Sequence, residues 1–216
     1  MEYIHIMEIA KLSSMHPLLV VGLPGMGMVG ASAANFLIEN STRSVISHLI
    51  YPFELRRLIS STSNGFLRDN SIKLHSVSIP EFSYDLFVLT GAAQPSYNLT
   101  QYLLAYNTLR IVKNFGCEYV ITLGGYQTTS PERRRVFFTT NDVTLFHIAE
   151  SLGLHTFGGT VTGAAGLFVG ISPLLNLKSI CLLCETLGIY SDSEASTTIL
   201  SHFYRLISRL SPSPSP

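Results

Sequence analysis

A three-layer α/β/α sandwich on a largely parallel mixed sheet is the fold this sequence predicts, on three observations. Five short apolar runs each stop at glycine or other turn residues, as strands buried on both faces do. Stretches with helical spacing of apolar residues lie between them. Strands and helices therefore alternate along the chain, the pattern of a sheet covered by helices on both sides. At 216 residues the chain suits one domain, assigned to residues 1–210. The Ser/Pro tail, residues 211–216, is low in complexity and is expected to be disordered.

Each element has its own signal. Residues 18–21 (LLVV) form the first buried strand, followed by GLPGMGMVG (22–30) and an alanine-rich helical run. Residues 44–50 and 72–79 alternate apolar with polar positions and are read as antiparallel or edge strands. The next buried strand covers 84–90. Asn98 then caps a helix with apolar positions Leu99, Tyr102, Leu103, Tyr106, Leu109 and Val112, ended by Gly116. Residues 119–123 make another strand, and Asn141 opens a helix over 142–152. A weaker strand near 154–157 and a strong one at 180–184 follow. Ser191 and Glu194 read as a capping box before Ile199, Leu200, Phe203, Leu206, Ile207 and Leu210.

Composition excludes several functions. Formal net charge is zero, so nothing favours nucleic acid, an acidic substrate or an anionic membrane. Charged residues are only 13% of the chain, against roughly 25% in an average soluble domain. Hydrophobic residues are 46%, and so apolar a chain is expected to hide surface by forming a homo-oligomer. The start lacks the basic and apolar segments of a signal peptide, and glycines and Pro173 interrupt the longest weakly polar run, residues 158–177. Three cysteines, an odd number, point to a reducing compartment, so the chain is read as cytoplasmic.

The glycine-rich stretch carries the main chemical question. Gly25, Gly27 and Gly30 satisfy G-x-G-x-x-G between a strand and a helix, the setting of a dinucleotide-binding turn. That turn also needs an acidic residue at the end of the second strand. Here the strand ends at Tyr51-Pro52-Phe53, with Glu54 beyond the proline. Pro24 and Met26 crowd the approach of a pyrophosphate, and no lysine follows to make a P-loop. The glycines are therefore read as permitting a tight turn and close helix–sheet packing, with no cofactor.

Other strand ends are also poor in side chains: Gly91-Ala92-Ala93-Gln94-Pro95, Gly124-Gly125-Tyr126-Gln127, Gly163-Ala164-Ala165-Gly166 and Glu185-Thr186-Leu187-Gly188. Carboxyl ends of parallel strands line one crevice. The candidate ligand or interface cleft is accordingly Gly25, Met26, Gly27, Gly30, Gln94, Pro95, Gly124, Gly125, Gly163, Gly166, Glu185 and Thr186, with Gln127 as a further polar group. Glu185 ends an apolar strand and has two readings. One is a general acid or base of raised pKa; the other, which we favour, is a structural carboxylate accepting backbone N–H bonds from the neighbouring glycine loops and holding the cleft rim together.

GLPGMGMVG (22–30), GAAQP (91–95), TLGG (122–125), GTVTGAAGLFVG (159–170) and CETLG (184–188) occur in an order that resembles the family named after the second proteasome assembly chaperone. The resemblance spans about residues 20–207 and includes archaeal and actinobacterial members that are uncharacterised. It implies a phosphorylase/hydrolase-like sandwich, homo-oligomers, and chaperoning of 20S proteasome assembly through α-subunits or assembly intermediates. It implies no catalytic residues. Docking on proteasome α-rings by a C-terminal hydrophobic-Tyr-X tail is another family trait. This chain departs from it, ending in Ser213-Pro214-Ser215-Pro216 with Tyr204 inside a predicted helix.

Remaining candidates are read as structural. Cys181 and Cys184 lie in a strand, where positions three apart face opposite sides, so they share neither metal nor disulfide. His147 and Glu150 are read as a surface pair, His155 as a residue near the cleft, and Arg133, Arg134 and Arg135 as the border of a loop or subunit contact. The expectation is a non-enzymatic interaction protein that captures proteasome subunits. The alternative is a small-molecule hydrolase or phosphorylase working at the cleft with Glu185.

Overall fold

Four consecutive buried residues need cover on both sides, and Leu18–Val21 receives it. Leu18 and Val20 enter one hydrophobic core while Leu19 and Val21 enter a second. The same division by alternate residues holds for Leu86 and Val88 against Phe87 and Leu89. The structure, a computed structural model, describes residues 3–10, 17–55, 61–67, 70–82, 84–131 and 134–210. The Ser/Pro tail, residues 211–216, and Arg133 lie outside the described residues.

The elements in chain order are β1 (Ile4–Glu8), β2 (Leu18–Val21), α1 (Val29–Glu39), β3 (Arg43–Pro52), β4 (Ile72–Ser78), β5 (Leu86–Thr90), α2 (Asn98–Asn114), β6 (Tyr119–Gln127), β7 (Val136–Thr140), α3 (Val143–Ser151), β8 (His155–Thr156), α4 (Gly163–Ile171), β9 (Lys178–Thr186) and α5 (Ser193–Ile207). They build one sheet of order β1-β3-β4-β5-β2-β6-β9-β7-β8. Its centre, β5-β2-β6-β9, is parallel, as Val20 facing both Val88 and Ile121 illustrates. On one flank β1, β3, β4 and β5 pair antiparallel; on the other, β7 is antiparallel to β9 and parallel to β8. Helices α1, α3 and α5 cover one face, and α2 and α4 the other. The sandwich is thus the predicted one, with parallel pairing concentrated at its centre.

Several local readings change. β6 and β9 run on to Gln127 and Thr186, in register as Gly125↔Cys184 and Gln127↔Thr186. Gly124, Gly125, Glu185 and Thr186 are therefore strand residues and not loop residues, because the ladder supplies hydrogen bonds that no side-chain pattern advertises. β1 and β7 carry no sequence prediction; β7 alternates buried Val136 and Phe138 with half-buried neighbours. The strand near 154–157 is a two-residue edge strand, away from the parallel centre.

The helix caps also move. Asp142 caps α3, accepting from Leu145 N–H at 2.9 Å. Asp192, and not Ser191, caps α5 by accepting from Ala195 N–H at 3.0 Å. Asn98 is inside α2 and makes no cap. Glu54 serves α2 instead, accepting from the N–H groups of Ser96 and Tyr97 and from Thr100 Oγ1. Beneath it, α2 buries Thr100, Leu104, Ala105, Thr108, Leu109 and Val112, while Leu99 and Tyr102 face outward. On the outer side Tyr102 stacks on Tyr106 with centroids 6.0 Å apart.

Candidate functional site

The carboxyl ends of β2, β5, β6 and β9 meet at one edge of the sheet, and glycine sets how closely their connections approach. After β2 the chain makes a single turn at Met26–Met28 in which Gly27 and Met28 both have positive φ, 60° and 54°. A Cβ on Gly27 would run into Thr186, and one on Gly30 would run into the carbonyl oxygen of Leu123. A Cβ on Gly125 would strike the carbonyl of Met26, and one on Gly166 the carbonyl of Val161. The glycine stretch thus interlocks the β2 turn with the backbone of β6 and with the Thr186 side chain of β9.

Gln94 ties that interlock to the other helical layer. Its Nε2 donates to Pro24 O, and its Oε1 accepts from Ala164 N–H at 2.9 Å in the first turn of α4. Pro95, next to it, is buried, and its carbonyl accepts from Gln101 Nε2 at 2.7 Å.

Charge closes the opposite side. Glu185 is 1% exposed and faces Arg135. Its Oε1 accepts from Arg135 Nε at 2.9 Å and Nη2 at 2.6 Å, and its Oε2 from the backbone N–H of Arg135 at 3.1 Å. Burial works to raise this carboxyl's pKa. The hydrogen bonds and charge of Arg135, with a smaller contribution from His155, outweigh it and hold the group below its ordinary value. Arg134 reaches across to Asp192 at 2.7 Å, Glu194 at 3.2 Å and the Glu185 carbonyl at 3.3 Å. Asp192 also accepts from Thr186 Oγ1 at 2.8 Å, while its N–H donates to Gly27 O at 2.8 Å. Burial again opposes the charge of Asp192; its bonds from Ala195, Thr186 and Arg134 prevail and lower its pKa. The arginine pair is therefore a clasp around the β9 end, joined through Asp192 to the glycine turn.

Between the interlock and α4 lies a cavity of about 410 Å³. Of the sequence-derived cleft residues, Gly25, Met26, Gln94, Gly124, Gly125 and Gly163 line it, as does Gln127. Gly27, Gly30, Glu185 and Thr186 lie behind it, in the packing and the clasp; Gly166 lines a separate groove between α2 and α4. Residues the sequence reading missed include Leu23, Phe157 and Thr160 in the lining, and Arg134 and Arg135 in the clasp. The arginine triplet was visible, but nothing in its spacing named Glu185 and Asp192 as partners.

Large apolar side chains are exposed along the turn after β2, the end of β6 and the connection after β9: Met26, Met28, Tyr126, Leu187, Ile189 and Tyr190 are 50%, 39%, 39%, 49%, 69% and 83% accessible. Elsewhere, Cys117, Cys181 and Cys184 are buried free thiols, each pushed up to about 12 chiefly by burial. Cys181 and Cys184 fall in different cores, on opposite faces of β9. His147 and Glu150 form an exposed pair at 3.7 Å. Among the described residues no helix is long and apolar enough to cross a membrane.

Comparison with known proteins places these features. The model of the PAC2 family matches residues 19–213. An uncharacterised protein of Methanocaldococcus jannaschii is 30% identical over 196 residues, covering 88% of this chain and 73% of that protein. PbaB of Pyrococcus furiosus, an archaeal proteasome activator, superposes with a TM-score of 0.85 at 27% identity, over 96% of this chain and 90% of its own. PbaA of the same organism, an archaeal homolog of proteasome-assembly chaperone, gives 0.80 at 19% identity over 99% and 85%, a likeness of fold. With a family match over nearly its whole length, the chain belongs to the PAC2 family.

Proposed function

We propose that this protein is a cytoplasmic, homo-oligomeric factor of proteasome assembly. It acts without catalysis by capturing proteasome α-subunits or assembly intermediates through the exposed apolar edge of its sheet. The observation that carries this reading is the edge itself. Six large apolar side chains are exposed on a frame whose polar groups are spent internally, Gln94 on Pro24 and the first turn of α4, Glu185 on Arg135 and Thr186 on Asp192. Exposed apolar patches of this kind mark protein contacts. The relationship to PbaB and PbaA directs the reading to the proteasome.

The alternative, a hydrolase or phosphorylase using Glu185, has less support. Glu185 is held below its ordinary pKa by Arg135, which occupies its Oε1, and it is not among the described residues that line the cavity. The test is binding of the purified protein to free α-subunits and to finished 20S particles, with light scattering for self-association. Stronger binding to free subunits by an oligomer is expected. Preference for the finished particle would recast the protein as a factor acting on mature proteasomes; binding to neither would end the proteasome reading.

A further inference from the structure

The cavity has properties that protein capture does not require. It lies between the ends of β2 and β6, two neighbouring parallel strands. The chain leaves β2 through α1 toward β3 on one flank, and leaves β6 toward β7 on the other. Such a reversal of direction opens a crevice at the carboxyl edge, the general ligand position of open α/β sheets. At about 410 Å³ it falls within the range of small-molecule pockets, and its floor is Val21, Leu23, Leu123 and Leu183, none more than 5% exposed.

Two further properties narrow the ligand. The described residues that line the cavity include no Asp, Glu, Lys, Arg or His, and both polar ends of Gln94 are already engaged. A charged ligand would lose its hydration there without gaining a counter-charge from any described lining side chain. The lining also carries two aromatic rings, Tyr126 and Phe157, which meet edge to face at 5.3 Å. Aromatic rings pack against a further planar ring in stacked or edge-on geometry, while Thr160 and Thr162 in the lining bring hydroxyls that can hydrogen-bond a neutral polar substituent. We propose that this cavity is a binding site for a planar, uncharged aromatic molecule, independent of any proteasome role.

The test uses three probes sharing one aromatic body: naphthamide (neutral), naphthoate (anionic) and naphthylmethylammonium (cationic). Each is titrated into the full chain carrying ¹³C-methyl methionine, and the Met26 and Met7 methyl signals are followed by NMR. Met26 lines the cavity, whereas Met7 is exposed on the edge strand β1. Naphthamide should shift Met26 saturably and leave Met7 in place, and the charged probes should bind about tenfold or more weakly. Ala165→Leu, which adds bulk to the wall, should abolish the shift while thermal unfolding stays cooperative. If that variant does not fold, the charge series on the wild-type chain still decides. No saturable shift, equal movement of both methyls, or tighter binding of naphthoate would each overturn the proposal.

Discussion

The glycine turn after β2 and the arginine clasp around β9 secure the same edge of the sheet by opposite means. In the turn, side chains are removed so that carbonyl groups of Met26 and Leu123 can approach neighbouring backbone. In the clasp, two long side chains reach over Glu185, Asp192 and Glu194 and hold the strand end by charge. The first is short-range and steric, insensitive to pH and intolerant of any added atom. The second is electrostatic, tolerant of small displacements and dependent on ionisation. Asp192 joins them, donating its N–H to Gly27 and accepting from Arg134 and Thr186. The edge therefore combines a rigid turn with a charge-dependent brace.

The largest effect should come from breaking the steric half. Gly30→Val places a branched side chain against the backbone of Leu123, where no rotamer change gives relief. A loss of about 3 kcal/mol is expected, at the upper end of over-packing costs. Gly27→Ala should cost less, about 2 kcal/mol, combining its positive φ with a clash against the Thr186 side chain. Urea unfolding of both variants checks the order. Equal losses would mean that backbone conformation, and not the Leu123 contact, dominates the turn.

The charged half should respond to pH as the turn does not. Glu185 and Asp192 have folded-state pKa values below their ordinary ones, so the unfolded chain binds more protons in acid. Their stabilisation is fully present above the unfolded values, about pH 4, and is lost as pH falls through the folded ones. Glu185→Gln should cost about 2 kcal/mol at neutral pH, since it weakens charge-assisted hydrogen bonds at a buried site whose arginine partner is half exposed. It should also make the acid limb of the stability profile shallower. An unchanged acid limb would show that Arg135 does not brace the edge.

How much of this was legible in the sequence follows the same division. The glycine turn was readable because steric demands fall on a single residue type at fixed local spacing, and the central strands because burial on both faces leaves unbroken apolar runs. The clasp was not readable. Arg134 and Arg135 lie 50 residues or more from the groups they meet, and a basic triplet in a neutral chain carries no sign of its partners. Glu54 illustrates the same limit. Judged by its distance from a glycine fingerprint it had no task, yet it closes the start of α2 from the turn after β3. The cavity was half legible: the glycines on its walls were named, but Phe157 and Thr160 arrive from the edge strand's return path. Tertiary distance hides polar partnerships more thoroughly than it hides packing.

A smaller effect is expected where the two halves meet the α4 layer. Gln94→Leu removes both bonds of the latch between Pro24 and Ala164 while keeping most of the side-chain volume. The groups released lie at a partly open edge and can find water, so the loss should be about 1 kcal/mol. A loss as large as that of Gly30→Val would mean that the latch, more than the interlock, holds the turn.

The smallest effect on folding should come from the apolar rim, and there the comparison becomes a separation of stability from function. Ile189 and Tyr190 are 69% and 83% exposed on the connection between β9 and α5, so most of their apolar surface already faces water in the folded chain. Replacing both by serine removes little that folding had buried, and stability should stay within about 0.5 kcal/mol of the parent. Association should behave differently, because apolar area exposed in the free chain is what a bound partner covers. If the rim captures α-subunits, Ile189→Ser with Tyr190→Ser should weaken that binding by about tenfold or more, as loss of two central apolar contacts commonly does. Paired measurements of unfolding and of α-subunit affinity on the same double variant separate the roles. Lost stability with unchanged binding would make these residues part of the frame and place the contact surface elsewhere.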